Sequence, residues 1–579
     1  MARFASKPPA SEGRMILALF QALVVLGVVM AIVVVILYSG YLKFTDLAEP
    51  EASPPSATLE VDRTGRRITY GNSWLAREGG IWVLHLEGSP ALIGEAHGQL
   101  VARLFHRLDA DIRALIKLRY PTWMDAWSAL LGVRWDFRQA DEVLSEDSAS
   151  ELAALAGALP EAAGEHLGAY HRLFLYQCFQ ELGARIEDVL IEGVAFAAIP
   201  RSKTSTSTNG NLILGRSFAV DLGREVEVDR IVAFYYPDGK YPFVSIAWPG
   251  MIGVVTGINA RGIFVALNPT RTDDPPEDGA PLAIVLRQVL EEADTLDQAL
   301  ELLKQAPLRS SGAVLVGDGI KRKAVVVELS PRNKEERRQI RGESTSLVWA
   351  TNHLNHEPFD RDAQNDRIRR YTASGYRYDR LEERLGQLSP LDAEKAVAVL
   401  RDRQGKGGEE LGLGNHNALE DLGLTHAVVI DATAMVMWVA EGPSALGRFR
   451  AFDLRYLLMR QGTRPAPLDE FPPDRLLHSE EFSDFQQAMD AIDHAKSLLA
   501  IDMPKKALAS AKLALALAPD VGELHRLLGD IERELDNPSA ARKHYRRYLE
   551  LVPGRLRDQE RVRGLLEELG DDMSGIDSE

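Results

Sequence analysis

Apolar and polar positions change their period several times along the chain, and each change marks a different kind of element. "MILALFQALVVLGVVMAIVVVILY", Met15 to Tyr38, carries no charge and reaches the roughly 20 residues that a membrane-spanning helix needs. The stretch after it, "DLAEPEASPPSATLE", is rich in Pro, Ser and acidic residues. It has too little apolar surface to bury and reads as a stalk. From Val61 to about Val189 apolar residues recur at three- and four-residue spacing, as in "ALIGEAHGQLVARLFHRLDADIRALIKL" and "ASELAALAGALPEAAGEHL", which predicts a largely helical segment. From Leu190 the period shortens to two. "NLILGRSF", "RIVAFYYP", "PFVSIAWPG", "IGVVTGIN", "GIFVALNPT", "GAVLVGDG", "KAVVVELS", "SLVWATNH", "HAVVIDA" and "AMVMWVAEG" are short strand-like runs punctuated by Gly, Pro, Asn and Asp. Two helical stretches interrupt them, "PLAIVLRQVLEEADTLDQALELLKQA" and "RYDRLEERLGQLSPLDAEKAVAVLRD". Strands, then helices, then strands again predict an α+β domain of stacked sheets covered by helices.

A second polar linker, "QGTRPAPLDEFPPDRLLHSE", leads into a tail where the period is helical again. Ala507 and Pro519 recur as Ala541 and Pro553, a spacing of about 34 residues that resembles tetratricopeptide helix pairs. In that resemblance Leu528, Gly529 and Tyr545 sit where the paired helices approach, and the proline ends the second helix. The expected organisation is a cytoplasmic N-terminus (1–14), a transmembrane helix (15–38), a stalk (39–60), the α+β domain (61–460), a linker (461–480), helical repeats (481–570) and a short tail (571–579). A plain helical hairpin docked on the main domain is the alternative for the repeats.

Charge sets the orientation and narrows the partners. Arg3, Lys7 and Arg14 precede the apolar run, while Asp46, Glu49 and Glu51 follow it, with Lys43 the exception. The positive-inside rule then places the N-terminus in the cytoplasm and the bulk outside, periplasmic or extracellular. A cleaved signal peptide is the other reading, but its apolar region is usually about 7–15 residues, and "YSGYLKFT" is a poor cleavage site. The 579 residues carry 67 Lys+Arg against 84 Asp+Glu, a net charge of −17, without an extended basic run. That balance argues against a nucleic-acid partner. The only cysteine, Cys178, cannot form an intrachain disulfide or complete a cysteine zinc site, and its helical setting predicts a buried structural thiol. "GDGIKRK" has glycines after a strand but not phosphate-loop spacing.

Five stretches, in this order, resemble the isopenicillin-N acyltransferase branch of the N-terminal-nucleophile hydrolases, related to the choloylglycine hydrolases: "YGNSWLAREGGIWVLHLEGSPALIGEAHGQL", "NGNLILGRSF", "WPGMIGVVTGINARG", "WATNHLNHEPF" and "SGYRYDRLEERL". The resemblance covers roughly Tyr70 to Leu454 and implies a four-layer αββα sandwich. In such enzymes a Cys, Ser or Thr becomes the first residue of a new chain after self-cleavage, and its own α-amino group takes its proton. The resemblance implies Asn259 of "TGIN" as an oxyanion donor and Asn352 of "ATNH" as a ligand of the α-amino group or substrate oxygen. It implies Arg216 of "LGRSF" and Arg377 of "GYRYDR" as the charges that shape the site. An Asn in a strand-end turn and an Arg paired with acidic surface are the structural alternatives. No cofactor is implied. His353, His356 and Glu357 form a dense polar cluster without a HExxH pattern, which predicts loop hydrogen bonding rather than a metal site.

Two positions depart from the family pattern. "EGVAFAAIP" places Gly193 where the family carries its cysteine, and Ser217, Phe218 and Ala219 follow Arg216 where an aspartate belongs, with Asp221 two residues late. A glycine cannot attack. Ser202, with Thr204 and Ser205 as alternatives, is then the candidate nucleophile, although the hydroxyls of "SKTSTSTNG" also suit a solvated strand entering an Asn-Gly turn. Two main readings remain open here: a hydrolase or acyltransferase acting on an acyl group at an amide or thioester, and a degenerate member serving as a ligand-binding or protein-assembly module through its repeats. A purely structural repeat scaffold is the third. The expected partners are a small acylated molecule, the membrane through residues 15–38, and a protein held by the repeats.

Overall fold

The computed structural model describes residues 10–51, 56–120, 122–138, 140–159, 167–180, 191–200, 210–220, 228–275, 279–331, 338–341, 345–460, 467–553 and 555–570. The apolar run lies inside helix α1, Ala10–Phe44. Its segment Leu17–Phe44, 28 residues with an 18-residue apolar window in which no residue is buried, is long and apolar enough to cross a membrane. After the stalk the expected helical segment does not begin at once. Leu59–Val61, Arg67–Tyr70, Ser73–Glu78 and Ile81–Gly88 form strands β1 to β4. These strands are short and their turns carry glycine at positive φ, at Gly65, Gly71 and Gly79, so tight hairpin turns rather than helical spacing decide this stretch. Helices follow from Ser89, whose hydroxyl caps α2, Pro90–Arg119. Next come α3, Trp123–Asp136, α4, Glu146–Ala158, and α5, Ala169–Gln177.

The central strands are β5 (Ile191–Ala198), β6 (Ile213–Val220), β7 (Ile231–Pro237), β8 (Phe243–Ala247), β9 (Thr256–Asn259) and β10 (Ile263–Thr270). Helices α6, Leu282–Glu292, and α7, Leu296–Gln305, fall inside the first predicted interruption. Strands β11 (Ser311–Asp318), β12 (Lys323–Leu329), β13 (Arg338–Arg341) and β14 (Leu347–Ala350) follow. Helix α8 (Ala363–Tyr371) precedes the second predicted interruption, in the mixed-charge stretch "HEPFDRDAQNDRIRR" whose composition reads as a solvated loop, and α9 (Ser374–Leu388) and α10 (Ala393–Leu400) occupy the interruption itself. Strands β15 (His426–Asp431), β16 (Val436–Ala440) and β17 (Phe449–Asp453) close the domain.

Two sheets result. One has 11 strands in the order β1-β2-β3-β4-β7-β8-β9-β10-β11-β12-β13, and the other has six in the order β14-β5-β6-β15-β16-β17. Among the described residues every pairing of these strands is antiparallel except β4 with β7. Because side chains alternate along a strand, each strand feeds two cores. Ala195 and Ala197 of β5, Leu214 of β6, and Phe264 and Ala266 of β10 share one core that joins the two sheets. Val194, Phe196 and Ala198 of β5 face the other way, onto Leu381, Leu385 and Val397 of α9 and α10. Val265 and Leu267 of β10 face α2, α4 and α6, and the buried Cys178 belongs to that third core.

Five C-terminal helices follow: α11 (Glu480–Ala500), α12 (Pro504–Leu517), α13 (Gly522–Glu534), α14 (Pro538–Leu551) and α15 (Leu556–Glu568). The pairs α12/α13 and α14/α15 each begin with the same offset, Pro504 to Pro538 and Gly522 to Leu556. Gly529 is small for a reason: a Cβ there would lie 2.4 Å from the Tyr545 ring. Within the stretch read as a linker, the described residues 467–480 make fixed contacts with the main domain. Phe471 pairs with Phe449, and the Trp438 indole donates to Asp469 O at 2.9 Å.

Candidate functional site

Alternation along four strands decides which polar residues meet. Gly193 has the same parity as Ala195 and Ala197, Arg216 as Leu212 and Leu214, and Asn268 as Phe264 and Ala266, all in the core between the sheets. Asn352 continues the parity of Val348 and Ala350 just beyond β14. These four residues converge at one end of that core. The Asn352 Oδ1 accepts the Gly193 N–H at 2.9 Å, and its amide nitrogen donates to Pro269 O at 2.9 Å and Ile191 O at 3.2 Å. Arg216, fully buried, donates through Nη1 to Asn268 Oδ1 and through Nη2 to Leu267 O. Its Nε reaches Thr256 Oγ1 at 3.3 Å, and that hydroxyl lies 2.9 Å from His426 Nε2.

The electrostatics of this cluster are unusual. Burial lowers the Arg216 pKa to about 9, since the guanidinium is held by carbonyl and amide oxygens rather than by an anion. Burial also drives the His426 imidazole far below its ordinary value, helped by Arg216 and Arg230. His426 is therefore neutral, and Arg216 is the local cation.

Gly193 occupies the centre with no room to spare. A Cβ there would lie 2.5 Å from Arg216 Nη1, 2.7 Å from Asn268 Oδ1 and 3.1 Å from Ser217 O. Gly193 is also the third residue of β5, with Ile191 and Glu192 paired to Val220 and Ala219 ahead of it. The space a nucleophilic side chain would use holds the Arg216–Asn268 hydrogen bond.

Arg377 is near this point but on the other face of β5. Glu192, of opposite parity to Gly193, turns toward α9 and meets Arg377 Nη1 at 2.9 Å. Arg377 Nη2 pairs with Asp421 at 2.8 Å, Nε donates to His416 O at 2.6 Å, and His416 Nδ1 lies 3.0 Å from Asp421. Burial pushes the Asp421 carboxyl up, but Arg377 and His416 outweigh it and hold the group below the usual carboxylate range. Burial likewise favours neutral His416, and the Asp421 carboxylate reverses that and raises its pKa. Ligand-type atoms of Glu192, His416 and Asp421 lie within 4.8 Å of one another. The guanidinium of Arg377 already bridges both carboxylates, so the cation of this cluster is the arginine.

Asn259 does not join either cluster, which corrects its expected role as oxyanion donor. Ile258 faces the inter-sheet core, so Asn259 points to the opposite side, toward α6. Both hydrogens of its amide are spent there, on Leu290 O at 2.9 Å and Ala293 O at 2.8 Å. Its oxygen accepts from Arg261 N and Ile263 N and braces the turn. Beside Asn352, the asparagine that reaches the site is Asn268, and its signal was present in "VALNPT", a lone amide on the core-facing parity of an apolar strand. His353 supports the site indirectly: its ring contacts Ser374 Oγ at 2.8 Å, and that hydroxyl accepts the Asn352 N–H at 2.9 Å. Ser202, Thr204, Ser205 and Asp221 lie outside the described residues.

Residues 221–442 match the family model described as acyl-coenzyme A:6-aminopenicillanic acid acyl-transferase. The match begins after β6, so it includes Asn268, Asn352 and Arg377 but neither Gly193 nor Arg216. An uncharacterized protein of Archaeoglobus fulgidus is 26% identical over 273 residues, covering 45% of this chain and 44% of that relative. This chain therefore spans less than half the length of the curated relative it matches. Among solved structures, the Caenorhabditis elegans ortholog of an N-acylethanolamine-hydrolyzing acid amidase is 18% identical, with TM-score 0.30 over 42% of this chain and 93% of that one. Penicillin V acylase from Agrobacterium tumefaciens is 14% identical, with TM-score 0.31 over 47% of this chain and 89% of that one. Over residues 221–442, the middle of this chain is thus similar to an acyl-transferase family.

Proposed function

We propose that this is a single-pass membrane protein, with its N-terminus cytoplasmic and its bulk outside, whose acyltransferase-type domain holds an acylated small molecule without cutting it. What carries the reading is Gly193. The residue on which Arg216, Asn268 and Asn352 converge has no side chain, and the room for one is filled. Nucleophilic catalysis needs an attacking atom at that point. The three cores support a four-layer αββα arrangement, and the offset helix pairs support a tetratricopeptide reading for 481–570.

The family match favours a second reading, a hydrolase or transferase whose nucleophile comes from Ser202, Thr204 or Ser205. The full chain purified from its native membrane tests both. Under our reading its mass is that of the uncleaved polypeptide, and amide and thioester acyl substrates show no turnover above buffer. A new N-terminus between Gly193 and Ser205, together with turnover, would establish the enzyme.

The helical pairs add a protein partner to the proposal. Arg542, Lys543, Arg546 and Arg547 line a groove of about 770 Å³ together with Asp520 and Glu550, both paired to Arg547, and this net basic lining suits an acidic peptide. Reversing charge with Lys543→Glu and Arg546→Glu should abolish binding of a glutamate-rich peptide while the helical circular dichroism is kept. Unchanged binding by the double variant would remove this groove from the proposal.

A further inference from the structure

Helix α3 turns its largest apolar side chains away from the domain. Trp123 is 76% exposed, Met124 60%, Trp127 44% and Trp135 48%. Three exposed tryptophans on a helix of 14 residues are far from the usual scatter of single apolar residues on a protein surface.

The same helix is fastened to the end of α1. The Trp127 ring lies 6.0 Å from Tyr38, and the Trp135 ring lies 6.3 Å from Tyr41 and 5.8 Å from Phe44. Arg134, almost wholly buried, donates to Leu42 O at 3.1 Å and Thr45 Oγ1 at 3.0 Å and reaches Asp46 at 3.4 Å. It thereby satisfies carbonyl and hydroxyl groups that the last turn of α1 leaves open. The Tyr41 hydroxyl donates to Leu131 O. The orientation of α3 relative to α1 is thus set by several directional contacts.

Length places these contacts along the membrane normal. A hydrocarbon layer of about 30 Å takes up about 20 helical residues, so a span beginning at Leu17 leaves that layer near Leu37. Tyr38, Tyr41 and Phe44 then stand in the headgroup layer, where tryptophan and tyrosine concentrate. Trp127 is level with Tyr38, whereas Trp135 is level with Tyr41 and Phe44. The N-terminal end of α3 therefore descends toward the hydrocarbon, and Trp123 and Met124, one turn before Trp127, are its leading side chains. The adjoining end of α2 exposes Ile116 and Lys117, an apolar and a cationic group suited to the same layer.

We propose that the α2–α3 corner is a second membrane contact, lying in the headgroup layer of the bilayer that α1 crosses and fixing the domain at one tilt above it. The proposal rests on the anchoring reading of α1. The occupant of the tryptophan face is lipid, because that face is continuous with the aromatic end of the span.

Cys178, the only cysteine, is fully buried, so Met124→Cys creates a single reactive thiol for a polarity-sensitive fluorophore. The full chain is reconstituted into phosphatidylcholine vesicles with and without brominated acyl chains. Ile501→Cys, exposed among the C-terminal helices, serves as the control. The label at position 124 should emit to the blue and lose most of its intensity with brominated lipid, and the label at position 501 should do neither. Water-like emission at position 124 in a chain that resists alkaline carbonate extraction would overturn the corner contact and leave the anchor standing. Release of the chain by carbonate would overturn both. Blue emission without bromine quenching, accompanied by a cross-linked dimer, would assign the face to a second copy and also overturn the proposal.

Discussion

Arg377→Ala should cost about 3–5 kcal/mol of folding stability, the usual penalty for removing one member of a buried ionic cluster. Arg377 is 2% exposed, and its guanidinium serves Glu192 and Asp421 together. Its loss leaves two buried carboxylates with only His416, beside Asp421, and Arg555, whose charge acts on Glu192, to offset them. The pH dependence separates this charge effect from lost packing. Arg377 holds the folded-state pKa of Asp421 down, and such a carboxyl contributes stability that is present above its unfolded pKa of about 4 and lost as the pH falls. The deficit of the variant should accordingly be full at neutral pH and narrow in acid, as the stranded carboxylates take up protons. Urea unfolding of the detergent-solubilised chain near pH 7 and again near pH 4 measures this. An equal deficit at both pH values would assign the whole loss to packing.

Gly193→Ala should destabilise by about 1–3 kcal/mol, the cost of overpacking a filled interior. Its Cβ would press on Arg216 Nη1 and Asn268 Oδ1, atoms tied to each other and to the backbone of β10, so neither can withdraw without giving up a buried hydrogen bond. Gly168→Ala is the control, since nothing lies within 4 Å of a Cβ built there. Melting temperatures of the two variants should differ by several degrees. The chemically sharper substitution is Gly193→Cys. It should be at least as destabilised as the alanine variant, and it should remain one intact chain without acyl turnover. A well-folded Gly193→Cys protein that cleaves itself before residue 193 would mean that the site still has room for a nucleophile, and the non-cleaving reading would fall.

Much of the fold was legible in the order of residues because it depends on local period. The uncharged run in α1, most strands from β5 onward but not β13 or β17, both helical interruptions and the offset helix pairs come from side-chain spacing that any local window contains. Leu59–Gly88 was not legible in that way. Its strands are short and defined by their turns, and helical periodicity just downstream, in α2, dominated the reading.

The site divides along the same line. Gly193, Arg216, Asn352 and Arg377 are individually visible in the sequence. Their grouping is not, because one step along a strand moves a side chain to the other face of its sheet. That single step sends Asn259 to the end of α6 and admits Asn268 to the core between the sheets. It also puts Arg377 behind β5, against Glu192, while Arg216 lies in front. The sequence by itself determined that a glycine stands where a nucleophile is expected, since no packing can add an atom to it. Only the tertiary structure decided that the vacant position is filled by the Arg216–Asn268 pair, because strands β5, β6 and β10 meet there across two sheets whose register no local window contains.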